Sequence, residues 1–400
     1  MTEVKNPLIV TGGSGGGGGD VITTQNVSSI GTAPNGSYSI QGFRLISCGP
    51  VIAKLDGGKF LVGFVNSSNY YCLVVATLAS DNTWSTGTPV QVTTSMPGYT
   101  EGPGVVPQLM VLSATSAVLL FLDGSHAVTL YPVAISGSTI TLGASDGRAH
   151  DNARAIPVDT TRFIYSYYSA GSHLMVNTKN GNAITWGDDY DSIASYSDGL
   201  CLLDATHLVV GTYSEVKLVK ISGTTLINVS SAPSSNYKYL VKVGNKIIGL
   251  KLVSGVIHYA EISVVDDVIS VGAEATFNSP VSVSGNNSTF GCRYSEGATV
   301  ELGDGSVVLA LNVVGTPGVI GGYPLGVVGL MIHISNRGKI ISVNSFSGIE
   351  ARFGYASSYY PLAAVDGTRL ATMNLCSSGH SYSVEVAKNA VAIFELNGGG

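Results

Sequence analysis

The feature that most constrains this chain is a short pattern that returns seven times. It is an apolar residue, then a tight turn usually built on Asp or Gly, then an apolar run of strand length. The pattern is plainest at Leu203-Asp204-Ala205-Thr206, which leads into His207-Leu208-Val209-Val210. Around it, four short strands are expected at 200–203, 208–210, 216–219 and 226–229, the last two joined by the turn Ser222-Gly223-Thr224. The same turn stands at Leu55-Asp56-Gly57-Gly58, Leu112-Ser113-Ala114-Thr115, Val158-Asp159-Thr160-Thr161, Val243-Gly244-Asn245, Leu302-Gly303-Asp304-Gly305 and Val365-Asp366-Gly367-Thr368. Later in each copy a second turn follows, such as Ser136-Gly137-Ser138, Asn180-Gly181-Asn182, Val265-Asp266-Asp267 or Asn336-Arg337-Gly338. Gly and Asn at such places suit short hairpins, which need positive φ.

A repeat of this length that reads as four strands has few stable solutions. One four-stranded sheet exposes two apolar faces and cannot fold alone, whereas sheets packed radially bury each face against a neighbour. The expected fold class is therefore all-β, a seven-bladed β-propeller over residues 25–400. No helical period of comparable length competes with it. The composition agrees. The chain is 44% hydrophobic but only 12% charged, and its 51 glycines fit many tight turns.

Residues 1–24 are set apart. Gly15 to Gly19 form a run that packs no core and is costly to order. The segment is expected to be a flexible glycine-rich linker tying a short anchor, Lys5-Asn6-Pro7-Leu8-Ile9-Val10, to the body. Residues 25–48 are expected to add a strand that helps close the ring.

Several function classes are disfavoured. A net charge of −6 gives no basic face for nucleic acid. No apolar window is long enough for a membrane-spanning helix, so no membrane insertion is expected. The start MTEVKNPLIVTGG lacks the charged and apolar regions of a signal peptide, which fits synthesis in a reducing cytoplasm. The five cysteines are scattered, with no CxxC pair, and are expected as free thiols, most of them buried in strands. There is no nucleophile elbow, zinc-protease motif or P-loop, and Ser80-Asp81-Asn82-Thr83-Trp84 is a compressed, single approach to a sialidase-type Asp-box.

The candidate functional residues fall into three groups. Tyrosine is abundant, at 20 residues against 10 Phe. Tyr165, Tyr167 and Tyr168, and Tyr355, Tyr359 and Tyr360, cluster near strand ends, where rings can stack on sugars or pack at a protein interface. The acidic group Asp188, Asp189 and Asp191 offers carboxylates for Ca²⁺, without EF-hand spacing; a solvated acidic loop is the favoured reading, and no cofactor is expected. The stretch 313–325 is an insertion with no counterpart in the other copies. His207, His258 and His333 lie in or beside strands and are expected to be structural.

Blades of the form LDATHLVVGTY…VKLVKISGTTL and VIHYAEISVVDDVISVGAEATF resemble propeller repeats of bacteriophage tail-fibre-like structural proteins. The glycine-run start GGSGGGGGD resembles virion proteins that attach by a short N-terminal segment. The resemblance covers roughly residues 50–396 as a repeat pattern. It implies a non-enzymatic virion protein, multiple copies per particle, attached to other virion proteins through its N-terminus and presenting the propeller to a host receptor or glycan. A head decoration or collar protein is the near alternative. A glycan-degrading hydrolase is the enzymatic one, with Asp188, Asp189, Asp191 and Glu301 as its candidate carboxylates.

Overall fold

The computed structural model describes residues 9–11, 21–32, 37–39, 51–65, 70–80, 84–93, 107–122, 128–148, 150–168, 172–193, 199–237, 239–253, 255–279, 299–314, 319–320, 323–324, 327–347, 362–364, 369–377 and 383–397. Among these residues the regular elements are all strands. They form seven antiparallel sheets of four or five strands, numbered here along the chain, and one two-stranded ribbon.

Sheet one runs Val51–Lys54, Lys59–Val65, Tyr71–Leu78, Trp84–Thr86, with Val90–Gln91 beside its third strand. Sheet two runs Gln108–Ser113, Ser116–Leu122, Val128–Ser136, Thr139–Leu142, with Asp146–Arg148. Sheet three runs Asp151–Pro157, Arg162–Tyr168, Ser172–Asn180, Ala183–Thr185, with Asp189–Ile193. Sheet four runs Gly199–Asp204, His207–Gly211, Glu215–Ser222, Thr225–Pro233. Sheet five runs Tyr239–Val243, Lys246–Val253, Val256–Val265, Val268–Val271, with Ala275–Asn278. Sheet six runs Thr299–Glu301, Val307–Val314, Val327–Ile334, Ile340–Ser347, with Ile9–Thr11 on its outer edge. Sheet seven runs Leu362–Ala364, Arg369–Ser377, Ser383–Asn397, and takes Val21–Thr32 as the strand beyond them, with Ser37–Ser39 beside Ser383–Asn397. The ribbon, Val319–Ile320 with Tyr323–Pro324, lies in the insertion at 313–325.

The cores lie between sheets. Leu61 and Leu73 of sheet one meet Leu119 and Phe121 of sheet two. Val118 and Leu120 on the other face of sheet two meet Phe163 and Tyr165 of sheet three. Ile164 and Val176 meet Leu208 and Val210 of sheet four, Val209 and Leu218 meet Ile247 and Ile262 of sheet five, and Ile248 and Leu250 meet Val307 and Leu309 of sheet six. The first strand of sheet six lies against that of sheet seven, and Ala363 of sheet seven joins Ile52, Phe60 and Val62 of sheet one. The packing order is thus cyclic and propeller-like, and no sheet closes on itself. Near-continuous apolar strands are what this demands, since both faces of each sheet are covered.

The repeated turn owes its Asp to backbone hydrogen bonding. Asp204 Oδ1 accepts from Thr206 N (2.7 Å) and Oγ1 (2.6 Å), Asp159 Oδ1 from Thr161 N (2.8 Å) and Oγ1 (3.0 Å), and Asp304 Oδ1 from Ser306 N (2.8 Å) and Oγ (2.6 Å). A short side-chain acceptor closes the bend before the second strand begins. Burial tends to raise the Asp159 and Asp204 carboxyls, but these hydrogen bonds outweigh it and hold both down at about 2. The hairpin between third and fourth strands needs positive φ, supplied by Gly137, Gly181 and Gly223; in sheet five Asp266 and Asp267 adopt it instead, at 50° and 62°.

The fourth strand is broken in a recurring way. Gly87, Gly143, Gly187 and Gly272 interrupt it in sheets one, two, three and five, and the chain resumes as the short strand beside the third. In sheet four a bulge at Val229, between the Leu218–Ser230 and Val219–Asn228 pairs, takes that place. A Cβ at Gly87 or Gly143 would run into backbone of the following sheet's hairpin, at Ser138 and Asn182 respectively. Sheet four keeps the contact through Ser230 Oγ, which donates to Asp267 O at 2.7 Å and accepts from Ile269 N at 3.1 Å. The hairpins of sheets two to five therefore each seat in the break of the sheet before.

Two expectations about the N-terminal region meet the structure here. The boundary expected after residue 24 falls inside the strand Val21–Thr32, which pairs from Val21 with Asn397 to Thr32 with Lys388. Ile9 and Val10 of the expected anchor pair with Ser347 and Phe346 of sheet six; Lys5, Asn6, Pro7 and Leu8 lie outside the described residues.

Candidate functional site

Sheet three departs from the apolar rule on the face it turns to sheet two. Its second and third strands pair Tyr165 with Met175 and Tyr167 with His173, and side chains alternate, so these four share one face. Tyr165 is fully buried and Tyr167 nearly so. His150, just ahead of the first strand, lies parallel to Tyr167 with ring centroids 3.7 Å apart, and His173 lies parallel to it at 4.7 Å. Two imidazoles cannot share one face of a phenol at those separations, so they cover opposite faces.

The resumed fourth strand supplies the carboxylate. Asp189, two residues beyond Gly187, accepts through Oδ2 from Tyr167 Oη (3.0 Å), and its Oδ2 lies 3.0 Å from His173 Nδ1. The break is held by Asn177, whose Oδ1 accepts from Gly187 N at 3.0 Å. Sheet two contributes the corresponding strand, Asp146–Arg148. Asp146 Oδ2 accepts from Trp186 Nε1 at 2.6 Å, and the Arg148 guanidinium lies over the indole, 4.5 Å from the ring centroid. Tyr165 meets Trp186 edge-on at 5.3 Å, and its hydroxyl lies 3.3 Å from His150 Nδ1. Glycine breaks re-aim the ends of strands, and here they bring Arg148, Asp146 and Asp189 to the rim of one seam.

Burial pushes the Tyr167 phenol up, and the hydrogen bond and charge of Asp189 push it further, to about 12, against the lowering effect of Arg148. Burial raises Tyr165 far more, with the Tyr167 charge adding to it. Both phenols are therefore held in the neutral form, and Tyr167 donates to Asp189.

A second copy of this arrangement sits in sheet five. Glu274, two residues beyond Gly272, lies 2.7 Å from His258 Nδ1 through Oε1, and 3.2 Å from Tyr237 Oη and 3.0 Å from Lys251 Nζ through Oε2. Burial tends to raise its carboxyl, and the bonds from Lys251 and His258 bring it down to about 2. His258 stands where His173 does, and Lys251 where Tyr167 does. Sequence reasoning missed this pattern, a glycine followed two residues later by an acid with a histidine on the preceding strand, although Gly187-Asp188-Asp189 and Gly272-Ala273-Glu274 display it.

The structure thus joins two groups that stood apart in the sequence, Tyr165 and Tyr167 with Asp189. It corrects the idea of sugar-stacking tyrosines for these two, because Tyr165 is buried and both faces of Tyr167 are covered. Tyr168 ends its strand, and its side chain is outside the described residues, as are Tyr355, Tyr359 and Tyr360. The acidic group does not converge on a cation: Asp189 is committed to Tyr167 and His173, Asp188 and Asp191 are exposed, and among the described residues no group of three or more His, Cys, Asp or Glu is placed to hold a metal ion. Glu301 lies in sheet six, apart from this seam. His207 bridges two sheets, with Nδ1 3.0 Å from Asp204 Oδ2 and Nε2 3.1 Å from Asp267 Oδ1, the latter off the line of a hydrogen bond. His333 Nε2 lies 2.9 Å from Ser306 Oγ at a repeated turn. Cys72 and Cys201 are buried thiols that form no disulfide.

No protein-family model matches the chain, and no curated protein matches it. Solved structures similar to it are found. It is similar to the crystal structure of the WD40 domain of SCAP from fission yeast, at 11% identity and TM-score 0.39, over 93% of this chain and 98% of that one. It is also similar to a functionally unknown protein from Desulfotomaculum acetoxidans, at 9% identity and TM-score 0.48, over 78% and 88%. A third, a protein from Lactobacillus plantarum, matches at 10% identity and TM-score 0.44, over 76% and 86%.

Proposed function

We propose that this chain is a non-enzymatic binding protein, a seven-bladed propeller whose recognition surface lies at the rim of the seam between sheets two and three. The observation that carries the reading is where the repeat's exceptions gather. Arg148, Trp186, Asp189, His173 and His150 meet at one end of the seam between sheets two and three, beside the buried rings of Tyr165 and Tyr167. Polar and aromatic side chains converging on a rigid scaffold are the usual make-up of a binding surface. The setting we infer is a bacteriophage particle, where a tail appendage of this form would present the rim to a host-surface receptor or glycan. That setting rests on the resemblance of the repeats and of the glycine-rich start. The attachment segment then lies within residues 1–20, of which Ile9–Thr11 pairs with the edge of sheet six, since the strand Val21–Thr32 belongs to sheet seven.

The hydrolase alternative finds a Tyr–carboxylate pair at Tyr167 and Asp189, but a phenol raised to about 12 and stacked on both faces favours binding over nucleophilic attack. The test has two arms. A chain lacking residues 1–20 is expected to fold, to keep binding host surface material, and to fail to enter the particle; normal incorporation sinks the attachment role. Incubation of the intact chain with host polysaccharide is expected to release no reducing ends; release that disappears in Asp189→Ala overturns the non-enzymatic reading.

A further inference from the structure

The copies in sheets three and five share a design and differ in one respect. Glu274 uses both oxygens on neighbours, Oε1 on His258 and Oε2 on Tyr237 and Lys251. Asp189 uses only Oδ2, which meets both Tyr167 and His173. Among the described residues no side chain bonds its Oδ1, and the carboxylate is 39% exposed. The same acid is a closed structural tie in one sheet and a held acceptor with an open oxygen in the other.

Arg148 stands opposite in kind. Its guanidinium lies over Trp186, with Cζ 4.5 Å from the ring centroid, the indole is pinned by Asp146, and among the described residues no hydrogen-bond acceptor takes its N–H groups. A guanidinium has five N–H donors in a planar fork that matches a carboxylate. A chain of contacts joins Arg148 to Asp189: Arg148 lies over Trp186, Trp186 meets Tyr165 edge-on at 5.3 Å, Tyr165 lies 5.7 Å from Tyr167 between ring centroids, and Tyr167 donates to Asp189.

We propose that this rim binds a carboxylate-bearing saccharide, with Arg148 taking the ligand carboxylate and Asp189 Oδ1 accepting from ligand hydroxyl or amide groups. The proposal rests on the binding reading above and names its ligand class. The local charge decides among classes. A polyanion such as phosphate would face the carboxylates of Asp146 and Asp189, and a cationic amine would face Arg148. A ligand with a single acid group and several hydroxyls satisfies both fixed charges.

The experiment titrates the full chain by calorimetry with uronate- and sialate-bearing oligosaccharides and with the same compounds after reduction of their carboxyls to alcohols. The acid forms are expected to bind at least tenfold more tightly. Arg148→Gln should abolish that preference, and Asp189→Asn should weaken acid and reduced forms alike, with Arg337→Gln as a control of equal charge change. Thermal melts confirm that each variant is folded. Equal binding of acid and reduced forms overturns the proposal while leaving a saccharide-binding rim. A preference that survives Arg148→Gln overturns it as well, because the acid is then read elsewhere. Binding of neither form overturns the proposal and the glycan reading together.

Discussion

Gly143→Ala tests the seating of one sheet's hairpin in the break of the sheet before it. The new Cβ would stand 2.8 Å from Asn182 C and 3.0 Å from its Cα, and closer still to its carbonyl oxygen. These are backbone atoms of sheet three, so no side-chain rotation relieves the contact. Ordinary separation requires the hairpin to withdraw by about 1 Å. Overpacking of this kind costs about 1–3 kcal/mol. The lower chain entropy of Ala in the unfolded state returns about 0.4–1 kcal/mol, so the net loss is up to about 2.6 kcal/mol, with a central value of about 1.3 kcal/mol. With an unfolding entropy of about 2.1 cal/mol/K per residue, a chain of this size loses up to about 3 °C in melting temperature, with a central value of about 1.5 °C. Gly147→Ala is the matched control, because its Cβ would meet Thr129 Oγ1 at 3.6 Å, an ordinary contact, without positive φ. Differential scanning calorimetry measures both, and hydrogen exchange at Gly143, whose N–H donates to Pro132 O, reports the local opening. If Gly143→Ala melts with Gly147→Ala and the parent chain, the seating contributes nothing and the reasoning fails.

Two further outcomes are expected. Asp204→Ala removes the acceptor of both Thr206 bonds and should cost about 1–2 kcal/mol in urea unfolding, whereas Asp188→Ala, at an exposed carboxylate, should change little; equal effects would remove the structural role of the turn Asp. Asp159, Asp204 and Glu274 are held at about 2 in the folded chain, below the carboxylate values of about 4 in the unfolded one, so their contribution is complete above pH about 4 and is lost as pH falls through 2. The melting temperature should therefore hold level from pH 7 to about 5 and fall between about 4 and 2, and a level profile down to pH 2 would count against these bonds.

The strands were legible where local signals agreed. In sheet four, the turn at Asp204 and the apolar run after it place the second strand at His207–Gly211, within a residue of the expectation at 208–210. The breaks were not legible, because a glycine after TITL or AITW looks the same whether a strand ends there or bends and resumes. That ambiguity hid the site. Asp188, Asp189 and Asp191 read as a solvated loop, yet Asp189–Ile193 is a strand beside Ser172–Met175 that brings one carboxylate onto Tyr167 and His173. Tyr165 and Tyr167 read as exposed ring faces because strand alternation tells which residues share a face and not what covers it. Their covers, His150 and Trp186, flank the first and fourth strands of the same sheet, and strand pairing brings them to the rings.

Sheet seven has a consequence for how the chain is made. Its Val21–Thr32 strand pairs with Ser383–Asn397, near the other end of the sequence. On a ribosome adding about 5–20 residues per second, the earlier strand waits about 20–70 s for its partner. Sheets one to five can assemble as they emerge, since each is built from consecutive hairpins. The last pairing closes a loop of most of the chain, the kind of long-range contact that slows folding. Until it forms, one copy's waiting strand is an open edge for another copy's final strand, so the yield of single rings should fall as nascent chains crowd together.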